Sequence, residues 1–300
     1  MSLSGKLMTT VVGSYPATPS KEHLMDSYNQ GSDPFLDSIR EAVLAQIDAG
    51  IDLISDGQPR TDMIRLFAGA LRGFRIRERV SIINEIQRVK PITVKDQRYV
   101  KSILPEDRAL KGIITGPITL VKSSEDIYYG DEHQAVADAA AALKQEVDDL
   151  TEFCDLVQID EPILSVDLPE YTRDIINSMV KGLKTPVALH VCGDVTQIAG
   201  ELVELDVNIL DHEFAANPGL YDVYADLDHQ KRMAVGVVTT SPEMESVDEI
   251  RARIMEAYDR FGQSCMLDPD CGLRLLKKEE AHEKLKRMVK ARNMVMEEIS

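Results

Sequence analysis

The sequence of 300 residues predicts an α/β protein, a (β/α)8 TIM barrel, on three observations. Eight short β-rich apolar runs recur along the chain, helical patterns separate most of them, and no glycine-rich phosphate loop follows the first run. Strands alternating with helices imply a parallel sheet buried on both faces, and roughly 250 residues is typical of an eight-unit barrel. An open doubly wound sheet is the competing architecture and usually carries GxGxxG after its first strand. Here the first run ends Gly13-Ser14-Tyr15-Pro16, so the barrel is preferred.

The runs are residues 8–13, 52–55, 112–115, 156–159, 187–191, 207–210, 233–238 and 265–267. Residues 34–49 carry Phe35, Ile39, Val43 and Ile47 at helical spacing. Residues 73–96 are alternating and β-branched, with Arg75, Arg77 and Arg79 and then Ile92 to Val94. They predict a hairpin-like insertion between the second and third units, followed by a helix at 96–104. Residues 131–153 place Val136, Ala140, Leu143, Val147 and Leu150 on one helical face, and Val247–Phe261 does the same with Ile250, Ile254, Ala257 and Phe261. The longest helical pattern, 277–299, carries Leu285, Met288, Val289, Val295 and Ile299 and should pack back on the barrel to close it. Residues 16–28 and 123–130 are expected to be mobile loops at the mouth, with Tyr128 and Tyr129 in reach of a second substrate.

Composition narrows the class. Hydrophobic residues make up 44%, enough for a sizeable core. Lys plus Arg is 34 against 51 Asp plus Glu, a formal charge of −17, which argues against nucleic acid or an anionic membrane surface as main partner. No apolar run reaches the roughly 18 residues of a membrane span, and residues 1–12 lack the apolar centre of a signal peptide, so a cytoplasmic protein is expected. No Ser/Gly-rich linker interrupts the chain, so residues 1–300 are read as one domain. The four cysteines, Cys154, Cys192, Cys265 and Cys271, are too sparse for a disulfide framework and suit metal binding or catalysis better. Cys154 and Cys265 start their runs and are read as buried structural thiols.

Active sites of such barrels sit at the C-terminal ends of the strands. There the runs deliver Ser14, Asp56, Gln58, Asp160, Glu161, His190, Cys192, Asp211, His212, Glu213, Asp268, Asp270 and Cys271. His190-Val191-Cys192 is the sharpest element, because residues i and i+2 of an extended strand point to one side. An isolated His-x-Cys arises often by chance. Cys271, at an independent strand end, supplies a third donor, and Glu213 stands one strand–helix–strand unit beyond Cys192. Nitrogen and sulfur donors favour zinc. A structural zinc would usually be closed by paired C-x2-C knuckles, and none occurs; ligands spread over three strand ends suit a catalytic ion with an exchangeable position. Such an ion would hold a substrate thiol as thiolate at neutral pH, where a free thiol with pKa near 8.5 is mostly protonated. Asp160, Glu161 and Gln58 could receive an ammonium group, and Ser14 with nearby backbone N–H groups a carboxylate. The substrate so described is a thiol amino acid. The blander alternative for Asp160 and Glu161 is a salt bridge on the barrel rim.

With these residues in place, the chain resembles the catalytic C-terminal barrel of the cobalamin-independent methionine synthases, in the short form without an N-terminal barrel. The likeness runs in order through Val12-Gly13-Ser14-Tyr15-Pro16, Asp56-Gly57-Gln58-Pro59-Arg60-Thr61-Asp62-Met63, Thr115-Gly116-Pro117-Ile118-Thr119, Gln158-Ile159-Asp160-Glu161-Pro162, His190-Val191-Cys192, Glu213-Phe214 and Asp268-Pro269-Asp270-Cys271-Gly272-Leu273. The resemblance implies a barrel shared with the uroporphyrinogen decarboxylase type, and zinc held by His190, Cys192, Glu213 and Cys271. It implies homocysteine against Val12, Gly13 and Ser14 with its amino group near Asp160, and methyl transfer to the homocysteine thiolate to give methionine. Three positions depart from the family pattern: Gln58 stands where a Glu is usual, Ser123 where a Trp is, and Thr240 where a His is. All three bear on the donor, so a methylcorrinoid, protein-bound, is the expected donor, with a methylated folate or pterin second. Two other readings compete. One is a corrinoid-dependent methyltransferase acting on another small thiol such as coenzyme M. The other is a non-catalytic, zinc-stabilised module that binds a thiol.

Overall fold

The computed structural model describes Leu3 and residues 6–300. Eight parallel strands form a nearly closed barrel: β1 (Met8–Thr9), β2 (Leu53–Ile54), β5 (Ala109–Thr115), β7 (Leu156–Asp160), β8 (Val187–His190), β9 (Ile209–His212), β10 (Arg232–Val238) and β11 (Met266–Pro269). Their hydrogen-bonded order is β1-β11-β10-β9-β8-β7-β5-β2. The two end strands meet without a regular ladder: Asp52 N–H donates to the Thr9 carbonyl at 3.2 Å, Thr9 N–H to the Asp52 carboxylate at 2.8 Å, and Thr10 Oγ1 to the Leu53 carbonyl at 3.0 Å. Each strand falls on one of the eight expected runs, with ends displaced by a few residues; the first run continues past Thr9 as irregular chain.

The interior of the barrel is layered, and the period of two along each strand makes the layers. Leu53, Ala109, Leu156, Ala188, Ile209, Ala234 and Met266 form an apolar cluster at the strand starts, plugging the base. Two residues further on the same strands stand Ser55, Lys111, Gln158, His190, Asp211, Gly236 and Asp268, which make a polar second level. The alternate residues, among them Ile54, Leu110, Val157, Leu189, Leu210, Val235 and Leu267, belong to the larger core beneath the surrounding helices.

Those helices are α2 (Leu36–Ala49), α3 (Met63–Ala70), α4 (Val94–Ile103), α5 (Pro117–Lys122), α6 (Glu132–Leu150), α7 (Thr172–Val180), α8 (Ala199–Leu202), α9 (Leu220–Asp226), α10 (Val247–Phe261) and α11 (Lys278–Glu298). Helix α10 starts on a capping box, with Ser246 accepting from Glu249 N–H and Glu249 accepting from Ser246 N–H. The closing helix α11 lies where the apolar pattern placed it and buries Leu285, Met288, Val289 and Val295.

The insertion between the second and third barrel strands is present: β3 (Leu71–Ile76) and β4 (Val80–Arg88) pair antiparallel, and β6 (Glu125–Asp126) adds beside β4. It ends earlier than expected, because Ile92 to Val94 turn into α4 instead of extending the hairpin. The carboxylate of Glu146, on α6, accepts the Ile92 and Thr93 N–H groups at 2.9 and 2.6 Å and the Arg88 guanidinium at 2.6 Å. Residues 16–28 also differ from expectation, since Lys21–Gln30 is a helix, α1, capped by Ser20 and ended by Gly31 at φ 65°. The segment 123–130 is folded too. The Asp126 carboxylate accepts from the N–H groups of Tyr128, Tyr129 and Gly130, and the Tyr129 hydroxyl donates to Asp138 at 2.7 Å. Among the described residues no helix is long and apolar enough to cross a membrane.

Candidate metal centre and substrate cleft

At the mouth, His190 ends β8 and Cys192 follows two residues on, while Cys271 lies two residues past the end of β11. Their side chains meet. His190 Nε2 is 2.9 Å from Cys192 Sγ, and Cys192 Sγ is 3.2 Å from Cys271 Sγ. The three donor atoms lie within 4.8 Å of one another. Glu213 follows β9 and is not part of that triplet; its carboxylate is bonded instead by the Gly193 N–H and the Cys192 side chain, next to the cluster. Burial raises the Glu213 pKa, and the Cys271 charge adds to the effect.

Behind the cluster the other imidazole nitrogen, His190 Nδ1, lies 3.2 Å from Asp211 Oδ1, with both side chains about 2% exposed. Among the described residues neither atom has another hydrogen-bond partner. A carboxylate behind a histidine fixes which nitrogen points outward and strengthens it as a donor, so two sulfurs and one oriented imidazole fit a thiophilic divalent ion. In the metal-free cluster the imidazole carries a proton that a bound ion would replace. Burial disfavours a charged His190, but the charges of Cys192 and Asp211 outweigh it and lift its pKa well above the usual range. The hydrogen bond from Cys192 holds the Cys271 thiol down to about 4, with His190 adding to the effect, while the same bond raises Cys192. The cluster thus favours ionising one of its two thiols, with the imidazolium beside it.

The loops that carry the ligands are tied together. Asp270 accepts the N–H groups of Ala215 and Ala216 at 3.0 and 2.9 Å, which joins the loop after β9 to the loop after β11. Gly236 lets them approach: a Cβ there would come 2.3 Å from Asp270 Oδ1 and 2.9 Å from the His212 carbonyl. On the other side, Leu273 N–H donates to the Ser14 carbonyl at 2.8 Å, and Gly272 leaves room for the Ser14 hydroxyl. Val12, Gly13 and Ser14 thus line one narrow cleft together with Cys271. Gln58 leans over Gly13 from a strained backbone at φ 46°, and its carbonyl accepts from Arg274.

Asp160, at the end of β7, is 8% exposed, and Gln158 Nε2 donates to its Oδ1 at 2.7 Å. Burial pushes Asp160 up to about 6, against the opposing charge of His190. Glu161 was expected beside it in the cleft; the structure corrects this. Consecutive strand residues face opposite sides, and Glu161 is fully buried, its two oxygens taken by the Ile118 and Thr119 N–H groups at 2.9 and 2.7 Å at the start of α5. His212 likewise faces away from the mouth, held by the Val191 carbonyl at 3.1 Å and the Tyr224 hydroxyl at 2.8 Å. Ser123 and Thr240, the departing positions, are exposed at the ends of α5 and β10. Sequence reasoning gave no role to Lys111 and Gln158, both buried, although a Gln inside an apolar run and a Lys directly before one were a visible signal.

Comparison with known proteins gives the family. The methionine synthase of Methanocaldococcus jannaschii is 37% identical over 311 residues, covering 96% of this chain and 99% of the relative. That of Methanothermobacter marburgensis is 38% identical over 307 residues, covering 95% and 99%. A B12-independent methionine synthase from Shewanella sp. W3-18-1, solved with selenomethionine, superposes with a TM-score of 0.83 at 21% identity, covering 98% of this chain and 99% of that one. A methyltransferase from Methanosarcina mazei superposes at 0.71 with 16% identity, covering 97% and 94%. At these identities the two solved structures speak for the fold alone. Residues 7–294 match the family described as the cobalamin-independent synthase catalytic domain, and the chain belongs to that family.

Proposed function

We propose that the chain transfers a methyl group to the thiol sulfur of homocysteine, forming methionine, with zinc held by His190, Cys192 and Cys271 and by Glu213 as the oxygen ligand. The observation that carries this reading is the meeting of one imidazole and two cysteine sulfurs at the barrel mouth, with Asp211 behind the imidazole. The family and the two relatives named methionine synthase support it. Zinc, when bound, supplies positive charge that keeps an incoming thiol ionised.

The protein's own groups do the rest. The Asp160 carboxylate receives the substrate ammonium, and the Ser14 hydroxyl with the backbone of Val12 and Gly13 faces the carboxylate end. Gln58 roofs the cleft and, with the Leu273–Ser14 bond, limits how the substrate turns. In the transfer a sulfur–carbon bond forms as the bond from the methyl carbon to the donor breaks, and the donor keeps that bonding pair. In-line geometry is then a matter of positioning. The donor is a methylated corrinoid, protein-bound, or a methylated folate or pterin. Exposed Ser123 and Thr240 stand where the resemblance puts a Trp and a His, so the donor contacts of that pattern are changed here. The anionic Asp160 disfavours a sulfonate thiol such as coenzyme M.

The test is methionine formation from homocysteine with methylcobalamin, a methylated corrinoid protein and methyltetrahydrofolate side by side. Cys192→Ser and Cys271→Ser are expected to lose both bound zinc and turnover. Turnover that persists in zinc-free protein overturns the role assigned to the cluster.

A further inference from the structure

Beneath the cleft, two buried polar side chains have no part in the reading above. Lys111 on β5 is 1% exposed and Gln158 on β7 is fully buried. Lys111 Nζ donates to Gln158 Oε1 at 2.6 Å, and Gln158 Nε2 donates to the Val12 carbonyl at 2.8 Å and to Asp160 Oδ1 at 2.7 Å. Both hydrogens of the amide are thus used, one on the cleft-lining Val12 and one on Asp160. An ammonium group offers only donors, so Lys111 decides which way the amide faces. Turned over, Gln158 would set its oxygen against two acceptors and leave them unpaired in a buried site, at about 1–3 kcal/mol each.

We propose that Lys111 and Gln158 are positioning residues that set the cleft's preference for a thiol bearing an amino group. The inference rests on the reading of Asp160 as the ammonium receptor. Gln158 occupies one oxygen of Asp160, and among the described residues the other, Oδ2, accepts no hydrogen bond; it is the oxygen left for a substrate ammonium. The same amide fixes the backbone of Val12 opposite, so the distance between receptor and facing wall is set by one side chain spanning 146 positions of sequence. Stability alone does not call for this arrangement. Branched apolar side chains commonly fill such layers, and the base layer immediately below is apolar. Burial pulls the Lys111 pKa down, and the charges of Asp211, Asp268 and Asp160 act against it.

The experiment compares kcat and KM for homocysteine and for 4-mercaptobutanoate, the same thiol acid without the amine, in the wild type, Lys111→Met and Gln158→Met. The KM for homocysteine is expected to rise roughly tenfold or more, the worth of a hydrogen bond to a charged group. The kcat, the zinc content and the KM for the amine-free thiol should be little changed. Equal losses for both thiols, or an unchanged ratio between them, overturn the proposal. Lys111→Met leaves carboxylates without their cation, and Gln158→Met takes from the Lys111 ammonium the amide oxygen it bonds; where neither variant folds, the comparison of the two thiols on the wild type decides. In the wild type itself, the Gln158 side-chain amide signals in a 15N-labelled NMR spectrum are expected to shift with homocysteine and not with 4-mercaptobutanoate; identical shifts with both thiols refute the role. Wild-type protein that methylates neither thiol counts against the proposed function, and the NMR arm still judges this inference by itself.

Discussion

Asp211→Asn isolates what the carboxylate behind His190 contributes. Asp211 does two things. It points the imidazole so that Nε2 faces Cys192 Sγ at 2.9 Å, and it places negative charge 3.2 Å from Nδ1. Asparagine keeps an acceptor oxygen and loses the charge, whereas Asp211→Leu loses both. Removing the outer partner of a metal-bound histidine typically costs 10–100-fold in metal affinity, so the two variants should divide that range. Asp211→Asn is expected to weaken zinc binding about tenfold, or ~1.4 kcal/mol, and Asp211→Leu nearer a hundredfold. The assay is competition for zinc against a chromophoric chelator, read beside methionine formation at saturating zinc. The metal-free protein should not lose comparable stability with Asn, because Asp268 stands next to Asp211. Burial and then the Asp211 charge push Asp268 well above the usual carboxylate range, and Asn relieves that repulsion. Wild-type zinc affinity in both variants refutes the argument, since the carboxylate would then be neither orienting nor charging the ligand.

Two further outcomes follow from the loops and the closing helix. Gly236→Ala puts a methyl group 2.8 Å from the Asp270 Cα and 2.9 Å from the His212 carbonyl, backbone that cannot swing aside; we expect a loss of about 1–3 kcal/mol in thermal unfolding together with weaker zinc binding, as the turn carrying Cys271 is displaced. Glu245→Gln reads the tie between α11 and the loop after β10: burial acts to raise Glu245, but Lys284 first and then the Thr239 N–H hold it at about 2, below its ordinary 4.5. A depressed carboxylate stabilises the fold above its unfolded pKa and stops doing so as pH falls through the folded one. The variant should therefore be less stable than wild type at pH 7, by on the order of 2 kcal/mol, with the gap closing between about pH 4.5 and 2 in urea titrations; a gap independent of pH contradicts the assignment.

The fold was legible because its signals are local. Each barrel strand is a short apolar run, and the helices of α2, α6, α10 and α11 announce themselves by period. Helix α1 was not: its stabilising features are a Ser20 cap and a terminal Gly31, and only Ser27 is buried, so no apolar face marks it. The cluster of His190, Cys192 and Cys271 could be assembled from the rule that strand ends converge. What strand ends alone do not give is which of two neighbouring residues faces the barrel. Alternation does. It separates Asp160 from Glu161 and Asp211 from His212, and it places Lys111 and Gln158 on the inner face two steps above Ala109 and Leu156. A strand buried on both faces shows no apolar–polar contrast to set the phase, so the inner face had to be learned from the residues it brings together.

That inner face bears on how an acidic chain gathers so many charged groups toward the mouth of its barrel. Above the apolar base the second level holds one lysine, one histidine and two aspartates, and the level at the mouth adds Asp160, Glu213 and two cysteines. Ionised together, these groups carry far more negative than positive charge in a place shielded from water, where repulsion is strong. The protein disposes of part of it internally. Asp268 is pushed toward its protonated form, Lys111 serves three carboxylates, and His190 is drawn toward its cation by Asp211 and the neighbouring thiolate. In the proposed function the remainder is what a divalent ion would balance, letting two thiolates and a carboxylate share one centre. The negative charge of the interior therefore favours a small cationic substrate group at Asp160 for the same reason that it favours a metal at His190, Cys192 and Cys271. With Asp160 as the ammonium receptor of the proposed function, receptor and metal ligands would be two outlets of a single charge imbalance, and a substrate offering an amine and a thiol a few bonds apart would suit the site better than a thiol alone.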